Sequence, residues 1–172
     1  MKFRDIPQFT RMGSYAVNIP WPYLEEQLAH YAESGLDLDP DFQRAHVWTE
    51  DKQVAYVEYI LRGGKSSRII YFNCKGWMRS FDGLVILVDG KQRLEAVRRF
   101  LNNEIKAFGY KLSEFEDDLP GMCGPDFIFH VNDLNTRAEV LQWYIDLNSG
   151  GVVHTEEEIN KVKELLKKER EG

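Results

Sequence analysis

Apolar residues recur along the chain at two periods, one helical and one extended. After Pro20 and Pro22, the positions Trp21, Leu24, Leu28 and Tyr31 fall three or four apart, which predicts a helix from Trp21 to Glu33 ending before Gly35. Thr49 followed by Glu50 and Asp51 opens a second helix that turns Val54, Val57, Ile60 and Leu61 inward and stops at Gly63 and Gly64. Leu94, Val97, Phe100 and Leu101 predict a third, from Lys91 to Asn102. Thr136 and Glu139 form a capping-box pair for a helix with Leu141, Tyr144 and Ile145 inward, ending near Asn148 to Gly151. Thr155 and Glu158 repeat the signature for a last helix over residues 155–170, striped by Ile159, Val162, Leu165 and Leu166.

Strands are expected where β-branched and aromatic residues run together, at Arg68 to Asn73, Leu84 to Val88 and Phe127 to Val131. Glu104 to Phe108 reads as a further short strand. Leu36 to Pro40 alternates apolar and acidic residues and leads into PDFQRAHVW, a short strand or extended segment entering a turn. Gly76 and Asp82-Gly83 mark a small excursion or hairpin between two of the strands, and Ser113 to Gly124 reads as loop. The pattern makes an α/β (α+β) protein, and 172 residues suit one domain spanning the whole chain, residues 1–172.

Composition narrows the function classes. With 43% hydrophobic and 29% charged residues the chain has the make-up of an ordinary folded protein. A formal charge of -6 opposes unaided, non-specific binding to nucleic acid, although a local basic patch is compatible with it. No run approaches the length of a membrane span, and MKFRDIPQF lacks the apolar core of a signal peptide, so a cytoplasmic location is expected. Cys74 and Cys123 carry no metal or redox spacing and are expected to be free thiols.

Candidate chemistry concentrates at Asp89 to Arg93, where an apolar strand gives way to a helix. The strand delivers a carboxylate, Gly90 permits a tight turn, and Lys91 and Arg93 stand beside the free amides that open a helix, the outline of a phosphate site. Two other islands accompany it: Pro40 to Trp48 (PDFQRAHVW) and Leu147 to Thr155 (LNSGGVVHT).

In order and combination the three islands resemble the domain that forms the amino-terminal half of Gmr-type modification-dependent restriction enzymes, in the ParB and sulfiredoxin superfamily. That family carries a proline, FQR and tryptophan segment, a DGQQR segment after a strand, and a later asparagine with paired glycines. The matching residues are Pro40, Phe42, Gln43, Arg44 and Trp48; Asp89, Gly90, Gln92 and Arg93; and Asn148, Gly150 and Gly151, within residues 36–160. Lys91 replaces the first glutamine of DGQQR, and His46 lies where an aromatic residue often precedes the Val-Trp pair. No HNH-type nuclease segment follows before Gly172.

The resemblance implies a small mixed sheet flanked by helices with a helical carboxyl terminus. It also implies a pocket that binds and hydrolyses a nucleoside triphosphate in DNA restriction or phage defence. Arg44, Gly90, Lys91, Arg93, Asn148 and Gly150 would then contact the ligand, with partners that include DNA or a separate nuclease subunit. Asp89 can hold Mg2+ or orient a nucleophilic water, and Gln43 and Gln92 can orient a water or a phosphate oxygen.

Two further readings stay open: a ligand-gated interaction or antirestriction module without turnover, and a ParB-like DNA nuclease. Spacing alone also allows Asp89 to cap the helix, Arg93 to pair with Asp41 or Asp89, and Gln43 to satisfy buried backbone. His30, His130 and His154 show no ligand spacing, while Trp48 or Trp77 can stack on a base. Lysines 161, 163, 167 and 168, interleaved with glutamates, read as a solvated helix face.

Overall fold

A computed structural model describes residues 1–43, 47–79, 83–121, 123–149 and 156–171. Five strands, β1 (Tyr15–Pro20), β2 (Leu36–Asp37), β3 (Ile69–Cys74), β4 (Val85–Asp89) and β5 (Asp126–Asn132), form one mixed sheet in the order β1-β5-β3-β4-β2. The outer pair β1–β5 and the inner pair β3–β4 are antiparallel, whereas β5–β3 and β4–β2 are parallel. Helices α1 (Leu24–Glu33), α2 (Glu50–Leu61) and α3 (Lys91–Leu101) precede β5, and α4 (Arg137–Ser149) and α5 (Glu156–Glu171) follow it.

Strand alternation divides the core into two layers. Ile70, Phe72 and Cys74 of β3, Val85 and Leu87 of β4, and Phe127, Phe129 and Val131 of β5 pack on α1, α2 and α3. The opposite face carries Val88 and, partly buried, Tyr71 and Ile86 against Val140, Leu141, Tyr144 and Ile145 of α4 and Val162 and Leu166 of α5. The sheet is therefore covered on both faces, with the carboxyl-terminal helix pair on one of them. No helix among the described residues is long and apolar enough to cross a membrane.

Local signals fixed the helix starts. Thr49 accepts from the Lys52 amide at 3.4 Å, and Thr136 and Glu139 exchange the two bonds of a capping box at 2.9 and 3.2 Å. Two expectations for strands require correction, and one strand is additional. The short strand expected in PDFQRAHVW lies before it, at Leu36–Asp37, because Pro40 to Gln43 closes a turn through a Gln43 N–H to Pro40 carbonyl bond of 2.9 Å. The strand expected at Glu104 to Phe108 is absent; Asn103 and Phe108 adopt left-handed backbone, and a single bridge, Ala107 to Tyr110, is all that pairs. Strand β1 was not expected at all, since Asn18 and Pro20 weaken its alternation and it lies at a sheet edge. Cys74 is buried and Cys123 exposed, both as free thiols.

The end of the sheet remote from Asp89 is tied by side-chain amides and a carboxylate. Asn73 and Leu134 exchange bonds of 2.8 and 3.0 Å, and Asn132 donates to the Phe9 carbonyl at 2.6 Å. Asp133, buried to 5% exposure, accepts from Thr10 Oγ1 at 2.8 Å and from the amides of Arg11 and Met12 at 2.9 and 2.8 Å. Burial alone would raise its carboxyl pKa. The bonds from Arg11, Thr10, Met12 and Gly13 outweigh burial and hold it below the usual value.

Removing those acceptors unties three part-buried bonds and leaves a gap at a buried position, so Asp133→Ala should lower unfolding free energy by roughly 1–3 kcal/mol in urea titrations. A folded pKa below the unfolded one stabilises at neutral pH and is lost as pH falls through the folded value. The stability gap between wild type and Asp133→Asn should accordingly narrow on acidification.

Candidate functional site

Strand β4 ends at Asp89 and the chain turns into α3 within one residue. Gly90 makes this possible at φ 109°, a left-handed conformation, and a Cβ there would lie 2.7 Å from Ile70 Cδ1 and 3.3 Å from Ile70 Cα. The Ile70 side chain on β3 would have to shift to admit one, and the left-handed φ disfavours any residue but glycine there. Gly90 occupies the N-cap without any side-chain cap, so the capping role considered for Asp89 belongs to Gly90.

The first turn of α3 holds no acid and two cations, Lys91 and Arg93. Helices α1 and α2 instead begin with Glu25 and Glu26 and with Glu50 and Asp51, as the helix dipole favours. Both cations of α3 lean on carboxylates. Arg93 Nη2 donates to Asp89 Oδ2 at 2.6 Å, with side chains 17% and 30% exposed, and Lys91 Nζ pairs with Asp39. Of the two partners considered for Arg93, the structure selects Asp89, while Asp41 makes a two-oxygen pair with Arg137 at 2.8 Å. Only one Arg93 donor is used, and the remaining guanidinium N–H groups meet no acceptor among the described residues.

The two glutamines tie the first island to the second. Strand β2 pairs with β4 only at Val85 and Ile86, and beyond it Gln43 Nε2 donates to the Leu87 carbonyl at 2.6 Å. Gln43 therefore continues the sheet edge that β2 leaves unpaired. Gln92, 8% exposed, accepts from the amides of Val47 at 2.9 Å and Trp48 at 3.0 Å through Oε1. Both amides that sequence assigned to orienting water or phosphate are thus engaged with backbone. Trp48 lies edge-on to Tyr56, ring centroids 5.4 Å apart, with Lys52 over its ring, and Trp77 lies edge-on to Tyr15 at 4.7 Å.

The helix leading into the third island packs on the other two, while of the island itself only Leu147 joins the apolar cluster they share among the described residues. Phe42 meets Tyr144 of α4 edge-on at 5.3 Å, and Val88 lies in the same cluster. Asn148, one turn later, donates to the Tyr144 carbonyl at 2.7 Å. Arg44, His46, Gly150, Gly151, His154 and Thr155 lie outside the described residues. Among the described residues no group of three His, Cys, Asp or Glu side chains could hold a metal ion.

Sequence reasoning passed over two neighbours. Asp39 sits in the alternating LDLDP stretch and becomes Lys91's partner only when β2 lies beside β4. Tyr71 is opposite Asp89 across a register shift between β3 and β4, and no local pattern announces that pairing.

Replacing Gln92 by Leu keeps the volume but leaves the Val47 and Trp48 amides without their acceptor. Unfolding free energy should fall by about 1–3 kcal/mol, and hydrogen exchange at those two amides should accelerate. Comparison with known families, curated proteins and solved structures finds no match for this chain.

Proposed function

We propose that the opening of α3 binds the phosphates of a nucleotide, within a domain of ParB and sulfiredoxin type. The observation that carries this reading is the pair Lys91 and Arg93 in an acid-free first turn, opposed to the dipole of their own helix. An arriving phosphate meets the positive end of a helix dipole, an Arg fork with spare donors and an ammonium. The cost of clustering two cations at a positive helix end is then offset by ligand charge.

Hydrolysis of a nucleoside triphosphate is the reaction this site would support. Asp89 Oδ1 has no partner among the described residues, while Oδ2 holds Arg93. Mg2+ keeps most of its waters and binds through one or two carboxylates together with phosphate oxygens, so Asp89 suits an ion carried in on the triphosphate. The same carboxylate would instead orient water if the ion sits elsewhere. A role in restriction or phage defence, with DNA or a nuclease subunit as partner, rests on the three-island resemblance.

One observation favours binding without turnover. Gln43 and Gln92 both spend amide groups on backbone, at Leu87 and at Val47 and Trp48, so neither is poised for an attacking water. A nucleotide-controlled interaction module uses the same pocket with the glutamines left in place.

Calorimetry and phosphate release with each of the common triphosphates and Mg2+ separate the two versions. Lys91→Ala should weaken binding about tenfold or more, as loss of one charge-assisted contact does. Asp39→Asn should tighten it by a few-fold, because Lys91 is then released from a mostly exposed carboxylate. Phosphate release that disappears in Asp89→Ala supports hydrolysis. Tight binding with no release supports the module, and no binding by any triphosphate rejects both.

A further inference from the structure

A row of side chains crosses the sheet from the Asp89–Arg93 pair. Asp89 on β4 is opposite Tyr71 on β3, Tyr71 is opposite His130 on β5, and His130 is opposite Ala16 on β1. Directly opposed residues share a face of the sheet, and the rings bear this out: Tyr71 and His130 have centroids 5.4 Å apart. Trp143 of α4 closes on both, perpendicular to Tyr71 at 5.9 Å and tilted to His130 at 6.1 Å.

Burial falls along the row. Trp143 is buried, Tyr71 and His130 are half-buried, and Ala16 is exposed, so α4 roofs only part of this face. Neither the Tyr71 hydroxyl nor the His130 imidazole has a hydrogen-bond partner among the described residues. Neither tip is among the buried side-chain atoms that lack a partner, so both open to solvent and can take a ligand's bonds. Burial raises the Tyr71 phenol pKa, with Asp89 adding to the rise and Arg93 opposing it, which puts the hydroxyl within electrostatic reach of the pair. Desolvation lowers the His130 pKa, favouring an imidazole that offers one donor and one acceptor at neutral pH.

We infer that Tyr71 and His130 form the floor of a nucleobase subsite, so that a nucleotide lies along the row with its phosphates at Lys91 and Arg93. The inference rests on the phosphate reading above and adds a base-recognising surface to it. Two interstrand steps separate Asp89 from His130, about 10 Å, which is the scale of a nucleotide from phosphate to base. A planar heteroaromatic ring covers the exposed ring surfaces and supplies partners for the two solvent-facing tips. Ala16 leaves the far end of the shelf unobstructed.

Calorimetric titration of the unaltered protein with inorganic tripolyphosphate and with ATP, GTP, CTP and UTP tests the two layers separately. At least one triphosphate should bind about tenfold or more tightly than tripolyphosphate, in line with stacking contributions. Tyr71→Leu and His130→Leu should each erase most of that advantage while changing tripolyphosphate affinity less than about twofold, and Tyr71→Phe should retain the stacking part. Tripolyphosphate binding as well as all four nucleotides overturns the subsite and leaves the phosphate reading intact. An advantage unchanged in both leucine variants overturns it too, and binding by none of the five compounds overturns both readings. The comparison within the unaltered protein decides the matter even if a leucine variant fails to fold.

Discussion

Gly90 has to turn in a left-handed conformation against Ile70, and much of the site follows from that contact. With a Cβ held off by the Ile70 side chain 2.7 Å away and disfavoured at φ 109°, the chain leaves β4 and enters α3 in one step. So short a turn fixes where the first helical residues lie. Lys91 reaches Asp39 beyond β2, Gln92 faces inward beneath Val47 and Trp48, and Arg93 folds back on Asp89 one turn away. A longer connection would let α3 slide, and the three contacts with different elements could not be satisfied together.

The electrostatics of this corner are unbalanced in a specific way. Each cation has a carboxylate, yet Asp39 is mostly exposed, so its pair with Lys91 is screened and weak. Arg93 and Asp89 are more enclosed and meet through one nitrogen and one oxygen at 2.6 Å. Arg137, at the start of α4, shares one nitrogen between both oxygens of the more exposed Asp41 and also reaches Glu169 of α5 at 3.0 Å, fastening the helix pair. At the start of α3, Arg93 keeps donors without an acceptor among the described residues, which leaves room for an anion.

Elements whose signals are local were legible in the sequence. Thr49 and the Thr136–Glu139 pair mark helix starts because their partners lie within one turn, and the runs around Phe72, Leu87 and Phe129 declare buried strands through composition. The mixed α/β class and the carboxyl-terminal helix pair followed from these. Features that depend on register were not legible. The Gln92 side chain looks free until α3 and the Val47–Trp48 segment are docked, and its acceptor role comes from two amides remote in sequence. The row from Asp89 through Tyr71 to His130 needs three strands in a fixed order and a register shift, none of which a single strand's pattern encodes. Edge strand β1 escaped because one neighbour suffices for it, so its residues need not be uniformly apolar.

The engaged glutamines bear on the kind of chemistry the site can support. Gln43 closes the β4 edge exactly one residue beyond the last β2 pairing, and Gln92 satisfies two amides at once, so freeing either exposes unsatisfied backbone. A reaction that recruited them to activate water would have to remake those bonds in every cycle. Among the described residues Asp89 carries no such obligation beyond Arg93, and a phosphate drawing Arg93 toward itself would weaken that one side-chain contact. The physical division is therefore between residues that can change partners cheaply, Asp89, Arg93 and Lys91, and residues that hold the segment around them in place. Any catalytic step at this corner has to be carried by the first group, because the second is already committed to the fold that positions it.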